Sequence, residues 1–220
     1  MTVTTRRERR QQQRRQQQRR ATGGGSRGLN GLWIAAIVLA AIVAFFFIAR
    51  SAGWLEAPSS ANSVDVNTVD ISGSQIGEKQ TDLGNAHVPS GQRVAYPSLP
   101  PTSGDHWPAP AAPAPWGIKT TTLPFEVTTH NLEHGGVVIY YTTDLSSGQV
   151  DQIRGWVRSL QSAGYNKLVV EPWADMPKGT TVILTAWDWI LKQPTLDQTS
   201  FIKFVRQHHA GPDAPEAGVP

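Results

Sequence analysis

Residues 31–49 read GLWIAAIVLAAIVAFFFIA, an uncharged and almost wholly apolar run. A helix rises about 1.5 Å per residue and a hydrocarbon core is about 30 Å thick, so roughly 20 such residues cross a bilayer. A helix buried in a soluble core has no need of so long a stretch without polar side chains. A cleavable signal peptide usually carries an apolar region of about 7–15 residues. The small, polar sequence at 57–61 keeps cleavage open as an alternative. The expectation is one retained transmembrane helix over residues 29–50.

Charge orients it. Residues 1–28 carry nine arginines and Glu8, a net +8, which leaves −5 for the rest of a chain whose total is +3. Beyond the apolar run comes Arg50, and then no Lys or Arg until Lys79. Cytoplasmic flanks are enriched in Lys and Arg. The chain should therefore sit in the cell membrane as a single-pass protein, N-terminus in the cytoplasm and C-terminal domain extracytoplasmic. Trp33 and Trp54 sit near the two ends of the run, where indoles favour the interface. The tail, with its RRERRQQQRRQQQRR repeat, has no apolar surface to bury and is expected to be disordered. Its natural contact is membrane lipid with anionic head groups. No aromatic is interleaved for base stacking, and the rest of the chain is mildly acidic, so nucleic acid is an unfavoured partner.

The chain has no cysteine. Disulfides, thiolate metal sites and cysteine nucleophiles are excluded. Any metal would be held by His, carboxylate, Met or backbone oxygen.

Residues 51–81 read as an extracytoplasmic linker, with 64–71 as a candidate short strand. Residues 82–216 read as the globular domain. It opens with a Pro-rich irregular arm to residue 116, too rich in proline for a helix or central strand, and expected to pack through Tyr96, Trp107 and Trp116. Strands are predicted at 125–130 and 136–142. Ser146 and Gln149 have capping-box spacing. They precede a helix with Val150, Ile153, Val157 and Leu160 on one face, stopped by Gly164. A strand at 167–171 ends at Pro172, a turn follows at 176–179, and a single strand is predicted over 180–189. Thr195 and Gln198 suggest a second capping box, before a helix lined by Phe201, Ile202, Phe204 and Val205. The expected fold is α+β, a small mixed or antiparallel sheet with two helices packed on one face.

All six histidines lie in this domain. His87, His106, His130 and His134 fall in or beside the arm. His130 and His134, four apart, point the same way on a helix or a strand. Together these four suggest an imidazole site for copper or zinc. Glu133 and Asp105 are candidate hard ligands or acceptors for an imidazole N–H. The competing reading is a set of structural histidines; His208 and His209, at a helix C-terminus, are assigned to it. The sequence at 130–134 matches H-x-x-E-H, a zinc-peptidase pattern that must lie on a helix; no helix is expected there, so peptidase activity is not. Ser103, with His106 and Asp105, lacks a nucleophile elbow and reads as a turn. No catalytic residue is assigned. Metal binding is the leading function. The alternative is a non-enzymatic cell-envelope interaction module, with Trp107 and Trp116 facing an envelope protein partner.

Taken in order, residues 100–106 (PPTSGDH), 130–135 (HNLEHG), 137–141, 184–187 (LTAW) and Pro215-Glu216 resemble the bacterial family known as domain of unknown function 3105. In that family the residue before the first block's histidine is often proline; here it is Asp105. His87 matches a histidine near the start of the family's domain. The resemblance implies a membrane-anchored or secreted protein with this domain outside. It draws attention to His87, His106, His130, Glu133 and His134 without giving them a role.

Overall fold

In the computed structural model, the residues described are Val38 and 62–219. The chain divides into two compact units, Met1–Ala57 and Pro58–Pro220; the second is the subject here. The tail, nearly all of the apolar run and residues 51–61 lie outside the described residues. Among those described, no helix is long and apolar enough to cross a membrane.

The second unit is α+β, with a mixed sheet of six strands and three helices among the described residues. In chain order these are β1 (Glu78–Lys79), β2 (Gly117–Ile118), α1 (Phe125–Glu133), β3 (Val137–Thr142), α2 (Ser147–Ser162), β4 (Leu168–Trp173), β5 (Val182–Ala186), β6 (Trp189–Gln193) and α3 (Gln198–His208). The sheet order is β1-β6-β5-β3-β4-β2. β3 and β4 are parallel, with α2 as their crossover, while β5 pairs antiparallel with both β3 and β6.

Strand alternation divides the core. Val137, Ile139 and Tyr141 point to a face covered by Ile153, Trp156, Val157 and Leu160 of α2 and by Phe201, Ile202, Phe204 and Val205 of α3. The two helices expected on one face are there. Val138 and Tyr140 point to the other face, where Leu132 of α1 packs with Trp173, Ile183 and Trp187. The sheet is thus covered on both sides.

Five local expectations are corrected. The strand expected at 125–130 is helix α1. The single strand expected at 180–189 is the hairpin β5–β6, turned at Asp188, a non-glycine residue at φ 60°. α3 is capped by Asp197, whose carboxylate accepts from Thr199 and Ser200 N–H, rather than by Thr195. β4 continues through Pro172, because β2 pairs only with Val169 and Val170 and leaves an open edge beyond, where proline is tolerated. The linker expected over 51–81 carries structure in its described part, residues 62–81. There, 64–71 forms a 3₁₀ turn at Val66–Thr68 in place of a strand, Val66 enters the core, and β1 pairs with β6. By contrast, the Ser146–Gln149 capping box is present as expected.

α1 ends in a Schellman turn. Gly135, at φ +76°, donates its N–H to the Leu132 carbonyl, and Gly136 donates to the Asn131 carbonyl. A Cβ on Gly136 would lie 2.6 Å from the Asn131 oxygen and 2.6 Å from the Trp116 ring. Gly136→Ala is therefore expected to lower stability by about 2 kcal/mol through overpacking. Urea unfolding of the two proteins checks this; a loss under about 0.5 kcal/mol would contradict the close packing of the arm on α1.

Candidate metal centre

α1 is buried over almost its whole circumference although its sequence, FEVTTHNLE, is mostly polar. The arm does the burying, and it is fastened by polar groups. Asn131 donates to the Ala114 carbonyl at 2.8 Å and accepts from Ala114 N–H at 2.9 Å. Glu126 accepts from Val94 N–H at 2.9 Å. Trp107 donates from its indole to the Gln92 carbonyl and packs beside Ala112, Ala114 and Val127. Trp116 packs with the Leu132 cluster. Both tryptophans are half-buried within the arm.

The helix supplies His130, Glu133 and His134 at i, i+3 and i+4, on one face. The arm supplies the rest. Its segments around His87 and His106 run parallel, joined by Val88 N–H to the His106 carbonyl and His106 N–H to the Ala86 carbonyl, which sets the two histidines side by side. The result is a cluster in which one ligand atom from each of His87, His106, His130 and Glu133 lies within 4.8 Å of the others. His106 Nε2, His87 Nε2 and His130 Nε2 stand 2.9, 3.9 and 4.0 Å from Glu133 Oε2. Ligand atoms about 3.3 Å apart are what a tetrahedral zinc with bonds of about 2.0–2.1 Å requires, and these separations bracket that value. His106, His130 and Glu133 are buried, while the His87 side chain is 49% exposed, so the cluster opens to solvent on that side.

The outer contacts orient the rings. His106 Nδ1 lies 2.9 Å from the Gly104 carbonyl and His130 Nδ1 lies 2.7 Å from the Trp107 carbonyl. A carbonyl only accepts, so each Nδ1 carries a proton and each ring turns its Nε2 toward the centre. His106 Nε2 faces a Glu133 oxygen at 2.9 Å, a contact that needs a cation shared between them, proton or metal. Burial holds the His130 imidazole below its ordinary pKa, the neighbouring His106 and His134 push the same way, and the Trp107 carbonyl and Glu133 oppose. The neutral imidazole so favoured is the form that binds metal. Asn85 donates to Glu133 Oε1 at 2.7 Å and steadies the carboxylate.

The remaining sequence candidates separate cleanly. His134 lies next to the cluster, its Nε2 3.2 Å from His130 Nε2 and 3.2 Å from Glu216 Oε2. Asp105 is not in the ligand group. Ser103 accepts from Leu83 N–H, and both ring nitrogens of His106 are engaged elsewhere, so no serine–histidine pair forms. His208 bonds the Ile76 carbonyl and stacks on Phe204 and Trp189, and His209 accepts from Lys167 N–H. Both lie outside the cluster. The H-x-x-E-H segment does lie on a helix, contrary to expectation. It still differs from the peptidase arrangement, because Glu133 is itself one of the clustered ligands and does not stand off as a base.

Asn85 and Glu216 were missed as site residues by sequence reasoning. Glu216 falls in the last block of the family resemblance; nothing in the spacing of Asn85 marks it.

Among curated proteins and among solved structures, none matches this chain. One family does match, over residues 87–220, a span that begins at the first clustered histidine and takes in every candidate ligand. The chain belongs to the family described as protein of unknown function (DUF3105).

Proposed function

We propose that this domain binds a divalent transition metal, zinc or copper(II), through His87, His106, His130 and Glu133, and that it does so on the outer side of the cell membrane. The observation that supports the metal reading is the convergence of the Nε2 atoms of His87, His106 and His130 on one Glu133 oxygen, with the Nδ1 atoms of His106 and His130 held by the Gly104 and Trp107 carbonyls. Three nitrogens and one oxygen without thiolate suit zinc and copper(II). The role is binding or handling of the ion, with no catalytic residue assigned.

Isothermal titration of the full-length chain with Zn(II) and Cu(II) tests it. A dissociation constant below about 10 μM, or roughly −7 kcal/mol, is expected. Weaker binding, or equal binding by a His130→Ala/His134→Ala variant, would reject the proposal.

The membrane placement rests on the apolar run at 31–49 and on the arginines before it. Alkaline phosphatase fused to the C-terminus is expected to be active in intact cells; an inactive fusion would overturn that orientation.

A further inference from the structure

Beyond the first ion, and resting on that reading, we propose a second metal position held by Glu133, His134 and Glu216, with Glu133 as a bridging carboxylate between the two.

The two ligand groups are contiguous. One ligand atom from each of Glu133, His134 and Glu216 lies within 4.8 Å of the others, the same criterion the first group meets, and Glu133 belongs to both. A carboxylate has two oxygens and about four acceptor positions. Glu133 Oε2 faces His87, His106 and His130, and Oε1 takes a single hydrogen bond from Asn85, which leaves capacity for a second ion. His134 Nε2 lies 3.2 Å from Glu216 Oε2 and 3.2 Å from His130 Nε2. Imidazole nitrogens and carboxylate oxygens therefore run from the first position through to Glu216, and the proton shared between His130 and His134 would leave on metal binding.

Glu216 belongs to the carboxyl-terminal segment, and that segment is latched in place. Glu216 N–H donates to the Glu133 carbonyl at 2.9 Å, and Ala210 N–H donates to the Gly135 carbonyl at 2.8 Å. Lys167 Nζ donates to the carbonyls of His134, Ala217 and Val219, tying helix end and tail to β4. A Cβ on Gly135 would lie 2.9 Å from Ala210 Cα, so the tail sits hard against the end of α1. These contacts aim Glu216 at His134. The Glu216 side chain is 46% exposed against 9% for His134, so the second position opens to solvent through Glu216. Three protein ligands leave room for water or a small anion, as open metal sites do. Paired ions sharing a carboxylate stand about 3.5–4 Å apart in two-metal centres.

The test is zinc stoichiometry of the full-length chain after equilibrium dialysis, read by elemental analysis, for the wild type and for Glu216→Gln. The amide has the carboxylate's shape, and thermal melting of the metal-free proteins checks that the variant is folded. Two zinc per chain in the wild type and one in Glu216→Gln are expected. One zinc in the wild type would overturn the second position and leave the first standing. Two in both proteins would overturn the assignment of Glu216. No metal in the wild type, in this dialysis or in a parallel one with Cu(II), would overturn the metal reading as a whole.

Discussion

Full-length His106→Ala is expected to bind zinc about 10²–10³ times more weakly than the wild type. Structural zinc is worth about 10–16 kcal/mol at neutral pH. Divided among four ligands, that gives about 2.5–4 kcal/mol for one imidazole, or two to three powers of ten. His106 is the ligand to choose because it is fully buried. The same substitution has a second effect without metal. It leaves the Glu133 carboxylate, 3% exposed, without its nearest imidazole. Removing one member of a buried pair usually costs about 3–5 kcal/mol. Adding Glu133→Gln to His106→Ala should recover much of that loss while leaving zinc affinity low. A double variant no more stable than the single one would show that the pair is not the source of the loss. Zinc affinity unchanged in His106→Ala would remove His106 from the ligand set.

A second large effect belongs to a residue away from the cluster. Glu171, on β4, is fully buried, its Oε2 accepts from Leu123 N–H, and its Oε1 has no hydrogen-bond partner. Burial pushes its pKa up from 4.5 to about 7, against the opposing pull of the Leu123 N–H and Lys119. The folded state therefore holds this proton more tightly than the unfolded chain. The contribution is fully present below about pH 4.5 and is lost as pH rises to about 7. At 1.36 kcal/mol per unit it amounts to about 3 kcal/mol. His130, His208 and His209, whose folded pKa values are depressed by burial, act in the opposite sense as pH falls through their range. The contribution of Glu171 is therefore read as a difference. Relative to Glu171→Gln, the wild type should lose about 3 kcal/mol between pH 4.5 and 8, and at pH 8 the variant should be the more stable protein. Urea unfolding of both proteins at the two pH values measures it. A difference constant with pH would show that Glu171 does not take up a proton on folding.

The parts of the fold legible from sequence were those with an apolar period. α2 shows Ile153, Val157 and Leu160 on one face behind a Ser146–Gln149 box, and both features are present. β3 shows an unbroken apolar run because both its faces are covered. α1 was illegible for the opposite reason. Thr128, Thr129, His130, Asn131 and Glu133 are buried by an irregular arm whose backbone groups they bind, so no apolar stripe betrays the helix. Its punctuation was nevertheless readable: Pro124 just before the first turn, Glu126 within it and Gly135 just after the end. The 180–189 run hid a hairpin because its tight turn uses Trp187-Asp188 in place of glycine or asparagine.

The candidate site was legible as a list of residues but not as a geometry. His87, His106, His130 and Glu133 could be named from their density in a cysteine-free domain. Their convergence depends on the parallel pairing of two arm segments and on α1, neither of which sequence periodicity reports. The carbonyls of Gly104 and Trp107 that orient the rings are backbone groups and leave no trace in side-chain identity. Trp107 and Trp116 each pack one side against a buried cluster, and a tryptophan in a Pro-rich segment gives no sign in sequence of which way it faces.

X-ray absorption at the zinc edge, on full-length protein carrying one equivalent of Zn(II), addresses the metal centre most directly. Four nitrogen or oxygen neighbours at about 2.0–2.1 Å, with outer-shell scattering from three imidazoles that falls to two in His106→Ala, is the result expected of His87, His106, His130 and Glu133. A spectrum without imidazole scattering, or one that His106→Ala leaves unaltered, would contradict it.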